Sequence, residues 1–475
     1  MYRDTLIYIL SRVVPSAITF ITGIALTWLL SPTQYGIYGL GIALVGAISG
    51  SLFEWHAMSF MRFVQSGSAD RAFMPTVLGS FIALCAISAL FAVLLGASGV
   101  LSEEYRLLLW VCIPGAWCYS WFELAVRIEV SRFHALRVFW MNLARNCGIF
   151  AVAISLATLT QSPLAVLAGT FAAMLLPTLL VSSGGLYTRM RQFDFGIVSQ
   201  FWRFGWPIAI VQVAAMSSFA LDRILLERYW GESSVGYYTV AYALAQTTLV
   251  TLASGVDSAI YSRVVKAVDA KDSTGVTEHL KRNCSMLLVL LVPAAVGIAM
   301  TAPALAHTLV EPAYVQTVQQ LMAWMAIASL VLSFRANYVD HAFHFANQTR
   351  KLTLVIVAMS VVNVAADLIL IPPFGPVGAV AATIIAGTLA IVYGWIASRS
   401  VLKLPFPAYD VAKILLSTML MAVFLLGFRG QTDAASLVVQ IAGGVLVYGV
   451  AVLATNILGI RNRVVQVIQS QLRVS

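Results

Sequence analysis

Tyr35-Gly-Ile-Tyr-Gly-Leu-Gly-Ile-Ala-Leu44 returns two hundred residues later as Val235-Gly-Tyr-Tyr-Thr-Val-Ala-Tyr-Ala-Leu244, each copy following a short polar turn and opening a long apolar run. Phe133-His134 aligns in the same way with Phe343-His344, and Ser162-Pro-Leu-Ala-Val-Leu-Ala-Gly-Thr170 with Gly375-Pro-Val-Gly-Ala-Val-Ala-Ala-Thr383. The offset drifts from 200 to 210 to 213, as small loop insertions in one of two copies would make it. The chain reads as an internal duplication. Duplication inside an apolar chain is a transporter architecture, with substrate handled where repeats meet.

Composition sets the solvent. Of 475 residues, 60% are hydrophobic and 10% charged, and the mean hydropathy is +0.88. That leaves too little polar surface to cover a water-soluble globule, so the chain reads as an integral membrane protein. The five cysteines form an odd set without metal spacing and read as small core residues. Arg12 interrupts the first apolar run and no small-residue cleavage site follows, so no cleaved secretion signal is expected.

A spanning helix needs about 20 mainly apolar residues. Fourteen segments meet that criterion, from Leu10–Leu30 through Ile37–Met61, Leu107–Val126, Phe204–Leu226 and Leu352–Pro372 to Leu437–Leu458. With both termini in the cytoplasm, 23 of the 29 Lys and Arg fall in inner loops, tails and the inner ends of spans, four fall in outer loops and the outer end of a span, and Arg12 and Arg145 are counted with the spans. This asymmetry is the positive-inside pattern. The expected fold is all-α, with about 14 transmembrane helices. Residues 1–200 and 201–400 make two six-helix lobes, and residues 401–475 add two helices and a cytoplasmic tail. Outer loops such as Ser31-Pro-Thr-Gln34 are mere turns, which leaves no room for an external catalytic domain. No Walker motif or catalytic triad is present, so the chain is expected not to be an enzyme.

Leu30-Ser-Pro-Thr-Gln-Tyr-Gly-Ile-Tyr38, Leu221-Asp-Arg-Ile-Leu-Leu226 before Val235-Gly-Tyr-Tyr238, and Leu370-Ile-Pro-Pro-Phe-Gly-Pro-Val-Gly-Ala-Val-Ala-Ala-Thr383 resemble the signatures of polysaccharide-type, Wzx-like flippases. Their superfamily also holds the multidrug/toxin extruders and the lipid II flippases. The resemblance covers essentially the whole chain. It implies a V-shaped, two-lobed transporter of the bacterial inner membrane, both termini cytoplasmic, that moves undecaprenyl-pyrophosphate-linked oligosaccharide to the outer leaflet. Polysaccharide polymerase and a chain-length regulator are the implied partners, and O-antigen, capsule or exopolysaccharide the implied product.

Ionisable residues inside spans are costly and mark candidate sites. Asp222, Asp367 and Thr383 fall at one depth, about 6–9 Å below the outer surface at 1.5 Å per residue, and Asn363 joins them from the same span as Asp367. Asn363 and Asp367 share a helix face, and the four supply the hard oxygens a small cation prefers. A similar arrangement serves as a sodium site in lipid II flippases. The alternative is that Asp222 pairs with Arg223 and Asn363 makes a helix contact. Arg145, Arg12 and Arg62 are candidate partners for pyrophosphate, which a guanidinium grips bidentately. Snorkelling to inner headgroups is the favoured reading of Arg12 and Arg62, and pairing with Glu54 or Glu123 explains Arg145 equally well. Glu54, His56 and Glu123 form a possible proton relay, against the reading of His56 as a packing residue. Trp55, Trp117, Trp121 and Trp140 read as an interfacial belt. Asp340, His341 and His344 show metal-like spacing but read as a cytoplasmic cap. No cofactor is expected beyond Na+ or H+ as a coupling ion. An extruder of the same fold, or a membrane polysaccharide polymerase or ligase, are the alternative functions.

Overall fold

The computed structural model describes residues 2–67, 71–180, 193–346, 348–459 and 461–462. They are helical almost throughout, with no strand among them. In chain order the helices are α1 (Tyr2–Thr27), α2 (Pro32–Leu52), α3 (Glu54–Gly67), α4 (Phe73–Ala97), α5 (Glu103–Ser131), α6 (Ala135–Thr160), α7 (Pro163–Ala172) and α8 (Leu175–Leu180). They continue with α9 (Phe195–Trp230), α10 (Glu232–Asp269), α11 (Ser273–Leu309), α12 (Pro312–Phe334), α13 (His341–Phe345), α14 (Thr349–Ser398), α15 (Ala408–Leu426) and α16 (Ala434–Thr455). Among the described residues eleven helices are long and apolar enough to cross a membrane, and Val14–Thr27 and Pro163–Thr178 are shorter apolar helices. The inner end of the sixth expected span and most of the tail lie outside the described residues.

Short polar caps start the helices where the sequence shows turns. The Ser31 hydroxyl accepts from the Gln34 N–H and the Gln34 side chain accepts from the Ser31 N–H, a reciprocal capping box that opens α2. Ser102, Asp194, Asp272 and Asp433 cap α5, α9, α11 and α16. The 50-residue α14 is two apolar arms joined at Gly375, whose φ of 56° suits glycine. Pro372, Pro373 and Pro376 bracket it, and a Cβ on Gly378 would stand 2.2 Å from the Leu370 carbonyl oxygen. The expected turn between two spans is therefore present.

By packing, the chain divides into two compact units, Met1–Gly236 and Tyr237–Ser475. This boundary differs from the repeat boundary near residue 200 because α9 packs on α2, α3 and α4. Aromatic contacts carry that packing: Trp202 meets Trp55 edge-on at 5.3 Å, and Phe201 stacks on Phe63 at 5.9 Å. Trp55 is thus a buried core residue of the first unit, not a belt residue. In the second unit α10 and α11 pack through Leu249, Val256, Leu280, Leu287 and Leu291. Outward faces of α4 and α16 expose Leu90, Phe91 and Leu94, and Val445, Leu446 and Val450. Apolar faces of this extent require hydrocarbon, and the chain is a multi-pass membrane protein.

The repeated glycines have a direct structural use. Within the first unit α2 crosses the start of α10 so closely that a Cβ on Gly36 would lie 1.8 Å from the Glu232 carbonyl oxygen. Reciprocally, a Cβ on Gly236 would lie 2.2 Å from the Pro32 carbonyl oxygen. Each copy of the motif supplies the gap that the other fills, as small residues do at close helix crossings in membranes.

Candidate functional site

In α5, Tyr119, Glu123 and Arg127 recur every four residues and so share one helix face. Glu54 opens α3 just after the chain breaks at Phe53, which turns its carboxylate toward α5. Gln212 and Met216 on α9 close the third side. Glycine on α2 makes the room: a Cβ on Gly50 would meet the Met216 side chain at 2.6 Å, and Gly46 has open space beside it. Together these residues line a cavity of about 300 Å³ within the first unit. That is room for a charged headgroup with its hydrating water.

Two ion pairs set its electrostatics. Arg127 Nη2 donates to Glu54 Oε1 at 2.6 Å, and Arg145 Nη1 of α6 donates to Glu123 Oε1 at 3.3 Å. All four side chains are 19–29% exposed, so they are neither dry nor freely solvated. The Arg145 guanidinium also lies 4.6 Å above the Phe122 ring, a cation–π contact that holds it in place. Each arginine keeps a buried nitrogen, Arg127 Nη1 and Arg145 Nε, with no hydrogen-bond partner among the described residues. A buried donor left unpaired costs about 1–3 kcal/mol. A multivalent anion in the cavity would relieve that cost.

Of the two carboxylates that the sequence offered as alternatives for Arg145, the structure pairs it with Glu123. Arg127 was missed: the expected span ends at Val126, whereas α5 continues to Ser131 and carries Arg127 into the site. The four-residue spacing from Glu123 was the signal available. Arg62 is exposed on α3, and the Arg12 side chain lies outside the described residues. The expected relay is divided among separate partners, since Glu54 and Glu123 take the arginines and His56 Nε2 bonds the Ser80 hydroxyl at 2.8 Å. Phe81 and Phe201 flank the His56 ring.

Asp222 is a buried residue of α9 in the first unit, and Asn363, Asp367 and Thr383 belong to α14 in the second. The neighbouring Arg223 donates to the Phe219 carbonyl at 2.9 Å and lies over the Phe219 ring. Asn363 and Asp367 are both buried on one face of α14, and Asn363 Nδ2 has no hydrogen-bond partner among the described residues. The Thr383 hydroxyl donates to the Ala379 carbonyl at 3.1 Å.

Residues 25–319 match the polysaccharide biosynthesis protein family. The chain belongs to that family. It is 24% identical over 277 residues to "Probable flippase AglR" of Haloferax volcanii, a match that covers 57% of this chain and 56% of that protein. The matched stretch thus spans little more than half of the curated relative. Among solved structures, "Lipid II flippase MurJ, inward closed conformation" superposes with a TM-score of 0.77 at 16% identity, covering 96% of this chain and 99% of the other. An inward-facing multidrug resistance MATE family transporter of the MOP superfamily gives 0.62 at 14% identity, covering 81% and 95%. The family member therefore carries the MOP-transporter fold, and the likenesses in fold are to transporters.

Proposed function

We propose that this family member is a flippase for lipid-linked oligosaccharide repeat units, carried on undecaprenyl pyrophosphate across the bacterial inner membrane. Both termini lie in the cytoplasm, and polymerase and chain-length regulator act beside it. The single observation that supports this most is the cavity lined by Arg127, with Arg145 paired to the lining residue Glu123, each arginine spending one donor on a glutamate and keeping a buried nitrogen without a partner among the described residues. Pyrophosphate offers several anionic oxygens within reach of such a pair, and arginine stays charged at any relevant pH. The cavity accepts the headgroup while the lipid remains in the bilayer and the sugar outside it, consistent with its volume. Glu54 and Glu123 keep the arginines charge-balanced when no substrate is bound, which lowers the cost of burying them.

Cells lacking the chain should accumulate lipid-linked repeat units on the inner leaflet and export no polymer, with the wild-type chain restoring export. Normal export without the chain, in cells with no second transporter, would remove this reading. The coupling cation belongs on the buried oxygens of Asp367 and Asn363. Purified protein should then melt at higher temperature in sodium, by linkage between binding and stability. Asp367→Asn, which removes a charge at constant size, should erase the sodium-dependent rise. Wild type indifferent to sodium from millimolar to hundreds of millimolar would exclude sodium as the coupling ion.

A further inference from the structure

Asp257, Arg335, Asp340 and His341 form a second cluster of ionisable side chains, wholly inside the second unit. The helix α12 ends in a single π turn, Arg335–Val339, closed by the Asp340 N–H donating to the Arg335 carbonyl at 3.0 Å. Isolated π turns concentrate at functional positions. This one sets Arg335 Nη2 3.5 Å from Asp340 Oδ2, and turns His341 Nε2 to within 3.3 Å of Asp257 Oδ1 on α10. Asp340 and His341 are buried. Asp340 Oδ1, Asp257 Oδ1, His341 Nδ1 and Arg335 Nε have no hydrogen-bond partner among the described residues.

The neighbours add little fixed charge. From α10 the Tyr261 ring lies 5.4 Å from the His341 ring, and from α13 the His344 ring lies at 6.1 Å. His344 is exposed and gives the cluster a solvent-facing edge. The helix α11 contributes Asn283, which donates to the Asn337 carbonyl at 3.2 Å, and buried Cys284. From α14 the Met359 sulfur sits against Arg335 Nη1. One permanent cation thus faces two carboxylates, and the histidines hold the balance.

The corresponding turn of the first unit holds a different ion cluster. There the fully buried Glu129 meets Arg132 at 3.5 Å, Arg137 at 3.4 Å and His134 at 2.7 Å. In the register that aligns Phe133-His134 with Phe343-His344, the positions of Arg132 and Arg137 hold Ala342 and Asn347. In that register Glu129 falls on Val339 and His134 on His344, so the second copy holds neither that carboxylate nor those two arginines, and Asp257, Arg335, Asp340 and His341 form a cluster of their own.

We propose that Asp257 and His341, beside the Arg335–Asp340 pair, form a proton-binding site of the second unit that loads and releases one proton in each transport cycle. Loading moves a proton from solvent to the pair and brings the cluster's charge to zero; release restores the net negative charge against which the π turn must hold. Its place in a cycle rests on the transport reading above, but its existence as a proton site does not. It is separate from the cation position at Asp367.

Histidine-labelled protein in detergent, titrated by NMR, tests it, with His341→Gln used to assign the resonance. In the wild type the His341 resonance should shift with pH. Asp257→Asn should lower its midpoint by about one unit or more, because an opposite charge at this distance favours the protonated ring. Asp257→Glu should return most of that shift, and it serves if Asp257→Asn fails to fold. A midpoint indifferent to Asp257, or no titration, overturns the proposal. In proteoliposomes an imposed proton gradient should accelerate wild-type flipping, while Asp257→Asn and His341→Gln flip without responding to it. Wild-type flipping insensitive to the gradient overturns the coupling role. Absence of any flipping would instead count against the proposed function, and the titration would still decide the site.

Discussion

Arg127→Ala is expected to lower polysaccharide export by about 10- to 100-fold, the loss of one charge-assisted contact of about 1.5–3 kcal/mol to the pyrophosphate. Arg145→Ala should act in the same direction. The Glu54–Arg127 contact at 2.6 Å makes a second effect unavoidable, since the single variant strands a half-buried carboxylate and lowers stability. Glu54→Gln combined with Arg127→Gln separates the two: stability should return while export stays low. Arg127→Lys should retain part of the activity through its charge, but not the bidentate geometry. Export assays alongside size-exclusion profiles of the purified variants give both readouts. A folded Arg127→Ala protein that exports at the wild-type rate would remove Arg127 from the substrate path.

Gly36→Val should leave little folded protein. Even the first added carbon stands 1.8 Å from the Glu232 carbonyl oxygen, and a helix backbone cannot yield as a side chain tip can. Overpacking in a well-filled core costs about 1–3 kcal/mol, and a backbone clash of this depth belongs at or beyond the upper end. Gly36→Ala should already lower the melting temperature and reduce export. Gly449→Ala in α16 is the control, because nothing lies within 4 Å of its added Cβ. There the change should be neutral or stabilising by about 0.5–1 kcal/mol, as for other helix-interior glycines. Equal thermal stability of Gly36→Ala and Gly449→Ala would mean that the two repeats do not meet at these glycines.

The all-helical membrane fold and the duplication were legible because both rest on long-range regularities of hydropathy and spacing. That Arg145 needs a partner was legible too, since a charge two turns inside a span is costly, but the choice between Glu54 and Glu123 was not. Arg127 was not legible. Its membership of the site depends on one extra turn of α5, and helix ends are the least certain feature of any sequence reading. Nor could hydropathy show that α9 packs with the first unit, because that follows from which faces of Trp202 and Phe201 find aromatic partners. The π turn at Arg335–Val339 carries no residue signature of its own. It emerges only where Asp340, Arg335 and His341 compete for geometry, and it turns a sequence that reads as a loop cap into a buried cluster. Of the two readings the sequence left for His56, the structure favours the packing residue, since helical geometry sends its ring to Ser80.

Proteoliposomes containing the purified protein and a labelled polyprenyl-pyrophosphate oligosaccharide provide the most direct measurement, with external glycosidase reporting the fraction of substrate in the outer leaflet. Wild-type protein should raise the rate at which protected substrate becomes cleavable well above that of protein-free vesicles, and Arg127→Ala should return it close to the protein-free rate. Folded wild-type protein that leaves the protected fraction unchanged, across several glycan lengths and with sodium or proton gradients of either sign, would contradict the assignment of this chain as a lipid-linked oligosaccharide flippase.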